Sequence, residues 1–570
     1  MKGIGVSPGI SIGKAYVLKA GKNTLSGRLL KSEVEAIAET TRFDRAVNLA
    51  INEIEAIKKD PSLTLADEDL AILETQIEFL SDPQIKADVS DKIYKDKKNA
   101  NDALIEVIDS VVQLFQNMED EYLRARSADV QDIGNRILKH LNEENTGTNK
   151  VFGPDTIIIA DDLAPSDTIT MDVTNVIGFA TRAGSKTSHT AIIAKSRGIP
   201  AVIGCGKGLL AIKNDDVIIL DGEKGLVHVN PIQEVLSEYV KKRAAYATHS
   251  VRLKSLKDIP SITTDGTPIS LLANISKADD MEAVFENGGE GAGLLRTELL
   301  FMNRDSFPTE EEQFEFYKQV AIKSKNIPVI VRTIDIGGDK QLPYFDLPHE
   351  QNPFLGYRAI RICLDRPVLF ITQLKAILRA SLFGNLQIML PMISNVQELR
   401  AAKEILEQSK EELLRHNIPF NRLIKLGIMI ETPSAAITAD ILAKEVDFFS
   451  IGTNDLCQYT LAVDRMNEKI AHLYDPFNPG VLRLIDYVIK QANEHQIHVG
   501  MCGEMASDPK ATLLLLGMGL RDFSMSAGSI PSIKNIIINN SLSTAKNIYN
   551  KVIEMDNSQS ILAYLQEVAQ

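Results

Sequence analysis

Phe448-Phe449-Ser450-Ile451-Gly452-Thr453-Asn454-Asp455 is the stretch on which the fold of this chain turns. A short apolar run stops at a glycine and passes straight into polar side chains, which predicts a buried strand whose C-terminal end opens onto a site. The same form recurs on both sides. Strand candidates at Ile269–Ile275, Gly291–Arg296, Val329–Arg332, Leu386–Met392, Gly427–Glu431, His498–Cys502 and Phe523–Ser526 are separated from it, and from one another, by helical segments. Eight β/α repeats in about 300 residues predict a C-terminal TIM (β/α)8 barrel with insertions; counting alone leaves a doubly wound sheet as the alternative.

In such a barrel all strand ends open on one face, where active sites sit. Arg296, Arg332 and Glu431 close the second, third and fifth strands, Asn454 and Asp455 follow the sixth, and Cys502 closes the seventh, with Glu504 just beyond. One charged strand end is unremarkable, but this convergence is hard to explain as stability. Arg296 and Arg332, joined by Arg465 and with Arg358 as a further candidate, can neutralise a phosphate and a carboxylate through bidentate contacts. Glu431 and Asp455 offer hard oxygen ligands to Mg2+, which typically keeps one or two protein carboxylates. The implied ligand is small, doubly anionic and phosphorylated.

Upstream, Gly184-Ser185-Lys186-Thr187-Ser188-His189-Thr190-Ala191-Ile192-Ile193-Ala194 sets a lone imidazole among small polar residues, before an apolar helical run that stops at Gly198 and Pro200. That predicts an anion site at a helix N-terminus with a nucleophile in its mouth. No second His or Cys stands at metal-ligand spacing, so a zinc site is a poor reading. Thr156–Ala160, Val176–Ala180 and Val217–Leu220 read as buried strands of a compact α/β unit around it. Residues 1–20 alternate like short strands, clearest at Ala15–Leu18. From residue 31 to 141 the period becomes helical, as in Leu70, Leu73, Ile77 and Leu80, so this block reads as an insertion. Pro231–Ile259 is a charged helical stretch bounded by prolines, a linker between lobes.

A chain of 570 residues with 44% hydrophobic and 24% charged residues fits several ordinary soluble domains. The net charge of −14 disfavours nucleic acid and anionic membrane as partners and suits a basic protein. Cys205, Cys363, Cys457 and Cys502 are far apart, as in a reducing cytoplasm. Glycine and proline break up the first nine residues before a signal peptide could form, and the apolar stretch Leu513–Leu520 is too short to span a bilayer. A cytoplasmic protein is expected.

Residues 184–204, closing with Arg197-Gly198-Ile199-Pro200-Ala201-Val202-Ile203-Gly204, resemble the phosphohistidine segment of the phosphoenolpyruvate-utilising enzymes. Within that family the chain is most similar to the phosphoenolpyruvate–protein phosphotransferases, enzyme I of the bacterial sugar phosphotransferase system. Leu295-Arg296-Thr297-Glu298-Leu299-Leu300-Phe301-Met302, Val331-Arg332-Thr333-Ile334-Asp335-Ile336-Gly337-Gly338-Asp339-Lys340 and Glu431-Thr432-Pro433 carry the same resemblance. So do Phe448 to Leu456, Ala462-Val463-Asp464-Arg465 and Met501-Cys502-Gly503-Glu504.

The resemblance, which covers essentially the whole chain, implies that Arg296, Arg332, Asn454, Asp455 and Arg465 bind phosphoenolpyruvate, while Glu431 and Asp455 hold Mg2+. It implies phosphorylation of His189 at Nε2, with Thr168 orienting the other ring nitrogen, and onward transfer to the histidine-containing phosphocarrier protein HPr with release of pyruvate. A thiol such as Cys502 at a strand end is usually inert core. Beside an enolate it becomes a general acid for C3, the role the resemblance gives it. The implied architecture is multidomain α/β. Residues 1–30 and 145–230 form a swivelling phosphohistidine α/β domain, 31–144 a helical HPr-binding subdomain, 231–260 a linker and 261–570 the phosphoenolpyruvate-binding barrel. The linker and the segment near residue 145 are the hinges, and a homodimer through the barrel is expected.

HPr is expected on the helix at residues 67–80, where Asp67, Glu74 and Glu78 share a face opposite the apolar stripe. Like charges at i and i+4 disfavour a helix slightly, so a basic partner would relieve them. Gln76 stands where the family often has histidine, Ser185 where it has glycine, and Cys457 where it has threonine, a small-residue substitution. A pyruvate phosphate dikinase or phosphoenolpyruvate synthase would carry a nucleotide-binding region ahead of the histidine unit. Here about 150 residues precede that unit, largely helical and without a glycine-rich phosphate loop. A non-catalytic regulator would not need His189, Glu431, Asp455 and Cys502 together.

Overall fold

The computed structural model describes the chain apart from residues 19–24, 60–66, 117–120, 143–151, 162, 164–174, 185–189, 192–193, 195–197, 303, 339–341, 343, 346, 349, 468 and 569–570, and apart from the side chains of 59, 67–72, 116, 121–129 and 249–250. It divides into two compact units, Met1–His249 and Ser250–Gln570.

The first unit is built on a sheet of β1 (Ile4–Ser7), β2 (Ile10–Leu18), β3 (Thr156–Ala160), β4 (Val176–Thr181), β5 (Ala201–Ile203), β6 (Val217–Asp221) and β7 (Leu226–Val229), in the order β1-β5-β4-β3-β2-β6-β7. The inner strands β5, β4, β3 and β2 run parallel; β1, β6 and β7 are antiparallel to their neighbours. Every residue of β3 is buried, because both faces of the sheet are covered. Ile157 and Ile159 join one apolar cluster and Ile158 and Ala160 the other, as the two-residue period of a strand demands.

β2 and β3 are parallel neighbours, and a long crossover must join them. That crossover is the helical block, α1 (Glu33–Lys59), α2 (Asp67–Leu80), α3 (Pro83–Tyr94), α4 (Ala100–Gln116) and α5 (Glu121–Leu141). The helical block thus lies between β2 and β3 in chain order. Phe43, Ala46, Val47, Ala50, Ile54 and Ile57 recur every third or fourth residue of α1 and pack against Leu73, Leu104, Ile108, Ile133 and Ile137. This core shares no residue with the two sheet clusters. α6 (Gln233–Lys254) occupies the stretch read as a linker.

The second unit holds a closed barrel of β8 (Ser270–Ile275), β9 (Ala292–Leu295), β10 (Val329–Arg332), β11 (Leu386–Leu390), β12 (Leu426–Ile430), β13 (Phe448–Ile451), β14 (His498–Met501) and β15 (Asp522–Met525), every neighbouring pair parallel. Closure of β15 onto β8 excludes the doubly wound sheet. All the expected strands form, with ends that differ by no more than two residues from those expected. Alternate residues divide between two cores. Leu271, Leu295, Val331, Ile428, Phe449 and Met501 pack outward under the helices, whereas Leu294, Ile330, Met389, Met429 and Phe448 fill the barrel interior. Among the described residues no helix is long and apolar enough to cross a membrane.

Separate cores carry a thermodynamic consequence. Phe43 is fully buried in the helical block, so Phe43→Ala should destabilise it by ~3–5 kcal/mol. In scanning calorimetry the transition of the first unit is expected to move down while that of the barrel stays in place. An equal fall in both would mean that the cores are not independent.

Candidate active site

The interior alternation of the barrel decides what reaches its mouth. Leu294 is followed two residues later by Arg296, Ile330 by Arg332 and Met429 by Glu431, so an apolar plug passes directly into charge. Arg332, Asp335, Arg358, Glu431 and Asp455 are all buried there, and so is Glu298.

These groups form one chain of alternating sign. Glu298 accepts a hydrogen bond from Nη2 of Arg332. Nη1 of Arg332 lies 3.1 Å from Oδ2 of Asp335. Oδ1 of Asp335 accepts from Nη2 of Arg358 at 3.0 Å, and that nitrogen lies 3.5 Å from Oδ2 of Asp455. Oδ1 of Asp455 lies 3.6 Å from Nη2 of Arg465, which reaches the solvent. Burial works against charge on Arg332 and Arg358, but the surrounding carboxylates outweigh it and raise both pKa values. Both arginines are thus permanently charged.

Glu431 accepts from the backbone N–H of Met392 at 2.6 Å. Burial, then the nearby Asp455 and Asp335, push its pKa up, against the opposing pull of Arg332 and Arg358. Negative charge is therefore in excess at this point, which a cation would relieve. Two observations fit a cation here. Oδ1 of Asp455 is buried without a hydrogen bond, and the missing side chain of Gly452 leaves open a position 3.1 Å from Oε2 of Glu431. Among the described residues no three metal-ligating side chains cluster.

Cys502 belongs to the interior plug with Leu294, Met389, Met429 and Phe448. Burial raises its pKa, although a hydrogen bond with Ser450 and the charges of Arg332 and Arg296 pull the other way. The thiol is therefore protonated at neutral pH, the form a proton donor needs. Asn454 accepts from the backbone N–H of Glu504 at 2.9 Å, linking the ends of β13 and β14. Arg296 is exposed just past β9 and makes no ion pair among the described residues. Cys457 is wholly buried in the outer core, where burial pushes its thiol up to about 11, so it is a packing residue.

Sequence reasoning gave no role to Glu298, Asp335 and Tyr459. Glu298 and Asp335 lie two residues beyond Arg296 and three beyond Arg332, a spacing no different from that of a solvated acid. Tyr459 accepts from Nη1 of Arg358 at 3.1 Å and donates to the carbonyl of Phe354, fixing the guanidinium from the far side.

In the first unit, His189, Thr168 and Ser185 lie outside the described residues. Thr190, Ala191 and Ala194 are buried, the latter two in the cluster of Ile158, Phe179 and Ile203. The N–H of Ile199 donates to the carbonyl of Ala194 at 2.9 Å, and Gly198 takes φ +64. On α2, Glu74 and Glu78 are exposed, and the side chain of Asp67 is outside the described residues. Glu74 already pairs with Lys58 of α1 at 3.1 Å, which relieves part of the repulsion assigned to a partner. Gln76 does not belong to that face. It is buried and donates to Asp132 at 3.0 Å.

Comparison with known proteins gives three family matches: the N-terminal domain of the phosphoenolpyruvate-utilising enzymes over residues 2–126, their mobile domain over 152–225 and their phosphoenolpyruvate-binding domain over 250–542. The chain is 44% identical over 565 residues to the phosphoenolpyruvate-protein phosphotransferase of Priestia megaterium, covering 99% of this chain and 98% of that protein. The Bacillus subtilis (strain 168) protein of the same name is 44% identical, covering 100% and 99%. That of Staphylococcus carnosus (strain TM300) is 43% identical, covering 100% and 98%. Likeness that runs the full length of the chain and includes all three domains makes it a member of the phosphoenolpyruvate-utilising enzyme family, in the branch of the phosphoenolpyruvate–protein phosphotransferases.

Proposed function

We propose that this chain moves the phosphoryl group of phosphoenolpyruvate to Nε2 of its own His189 and from there to a histidine of HPr, releasing pyruvate, as the first step of a sugar phosphotransferase system. The observation that carries this reading is the barrel mouth. A buried chain of arginines and carboxylates still holds unspent polar atoms, namely Nε of Arg332, Nε of Arg358, Oγ1 of Thr453 and Oδ1 of Asp455. Such atoms are costly unless a ligand satisfies them.

Arg296, Arg332 and Arg465, with Asn454 and Arg358, grip the phosphate and carboxylate of the substrate and spread the charge of a loose in-line transition state. Glu431 and Asp455 are the residues that would hold Mg2+. When bound, that ion neutralises charge on the substrate oxygens as the phosphoryl group leaves. Neutral His189 attacks phosphorus through Nε2. The bond between phosphorus and the enol oxygen breaks and its electron pair stays on that oxygen. Cys502 then gives its proton to C3, pyruvate leaves, and the thiolate recovers a proton from water.

The same reading assigns residues 1–30 and 145–230 to the phosphohistidine domain, 31–144 to the HPr-binding subdomain, 231–260 to the linker and 261–570 to the barrel. It makes the first of these swing about the linker and the segment near residue 145. It gives Thr168 the task of orienting His189 and places HPr against the acidic side of α2, with a homodimer through the barrel in the cytoplasm. A basic HPr surface suits the exposed Glu78 and the net charge of −14.

His189→Ala should abolish transfer of label from phosphoenolpyruvate to the protein while leaving calorimetric binding of phosphoenolpyruvate nearly unchanged. Loss of both would make the histidine part of the substrate pocket. Glu431→Gln and Asp455→Asn should each stop Mg2+-dependent pyruvate release with the barrel still folded by circular dichroism; full turnover in both removes the metal assignment.

Cys502→Ala should slow pyruvate formation by ~10²–10⁴-fold, the usual worth of a general acid. Phosphoryl exchange between His189 and phosphorylated HPr forms no enolate and is expected to continue at the original rate. Equal loss of both reactions would make the thiol structural, and loss of neither would assign the proton to another group.

A further inference from the structure

Asp335 touches both buried arginines of the barrel mouth, and nothing in the mechanism above gives it a chemical step. Its side chain is 3% exposed, as is that of Arg358, and that of Arg332 is 9% exposed. Each carboxylate oxygen serves a different arginine, Oδ2 facing Nη1 of Arg332 at 3.1 Å and Oδ1 facing Nη2 of Arg358 at 3.0 Å. Two like charges held this close in a buried site repel strongly unless a counter-charge sits between them.

The backbone around Asp335 is built to hold that bridge still. Gly337 has φ +97, and a Cβ there would fall 2.6 Å from Cβ of Arg358 and 2.7 Å from the carbonyl of Tyr357, so the segment after β10 lies directly against Arg358. The N–H of Ala359 donates to the carbonyl of Ile336 at 3.0 Å, joining the two segments on the other side. Ala359 takes φ +52 to do so, a conformation that residues with a Cβ rarely adopt and that clusters at functional sites. The far ends of both arginines are also held, Arg332 by Glu298 and Arg358 by Tyr459 and the ring of Phe354, 5.7 Å away.

We propose that Asp335 is a positioning residue that sets the spacing and orientation of Arg332 and Arg358 before phosphoenolpyruvate arrives, and thereby sets affinity for it. The role rests on the function proposed above. Arg358 is shared in this structure between Asp335 and Asp455. When Asp455 turns to a cation, Asp335 and Tyr459 are the partners that keep Arg358 aimed at the substrate. The side chain of Asp335 touches no reacting atom and acts through the two guanidinium groups.

The test is calorimetric affinity for phosphoenolpyruvate with Mg2+, on the full chain carrying His189→Ala so that no transfer consumes the ligand. Adding Asp335→Asn, which keeps the shape but removes the charge, is expected to weaken binding by about 10²-fold, the scale of a misplaced binding group. Asp335→Glu keeps the charge but lengthens the bridge by one methylene, and should recover part of the loss. Arg358→Lys combined with Asp335→Asn should bind less than about threefold more weakly than the worse single variant, because both changes break one contact. A merely structural role would lower the melting temperature, leave the affinity of folded protein within about threefold of its parent, and add fully to Arg358→Lys. Either of the latter two results overturns the proposal. If Asp335→Asn abolishes the unfolding transition of the barrel, Asp335→Glu decides, and parental affinity there overturns it. A parent that binds no phosphoenolpyruvate overturns the function itself and this role with it, whereas equal binding by parent and folded variants overturns the role alone.

Discussion

A closed barrel of parallel strands has a single narrow interior, and every second residue of every strand must look into it. The rest of the second unit follows from that constraint. Leu294, Ile330, Met389, Met429 and Phe448 exclude water from the lower part of the space, and the next interior positions on three of these strands are Arg296, Arg332 and Glu431. Charge placed directly above a dry apolar plug feels a low dielectric. The upward shifts of the Glu431 carboxyl and the Cys502 thiol share this origin, since burial is the largest influence on both.

Buried ion pairs are poor evidence for stability, because desolvation consumes most of what their attraction returns. The chain from Glu298 through Arg332, Asp335, Arg358 and Asp455 to Arg465 is better understood as preorganisation. Its charges are arranged before any substrate is present, so little reorganisation is left for the moment of reaction. The exposed pairs along the helices, such as Lys95 with Asp91, contribute far less and direct nothing.

The first unit solves a different problem. A parallel pair of neighbouring strands, β2 and β3, needs a long crossover, and this chain uses it to carry a helical block with a core of its own. The block can present a surface without sharing core residues with the sheet. Gln76 illustrates the distinction between position and exposure. It lies two residues from Glu74 and Glu78 in sequence, yet the helical turn carries it inward to Asp132 while they face solvent.

Period and punctuation were legible in the sequence alone. Strands appear where apolar runs stop at glycine or charge, and helices where Leu70, Leu73, Ile77 and Leu80 repeat, because those patterns depend only on local geometry. The unusual strand ends, Arg332, Glu431 and Cys502 among them, could be identified for the same reason, since a barrel sends all its C-terminal ends to one face. Tertiary structure alone decided which charges meet. Asp335 bridges Arg332 and Arg358, Tyr459 buttresses Arg358 and Gln76 turns into the core, and each outcome joins residues from different elements. No local period encodes such a meeting, because a side chain's partner is fixed by where other strands and helices close around it, and only the folded barrel and bundle specify that.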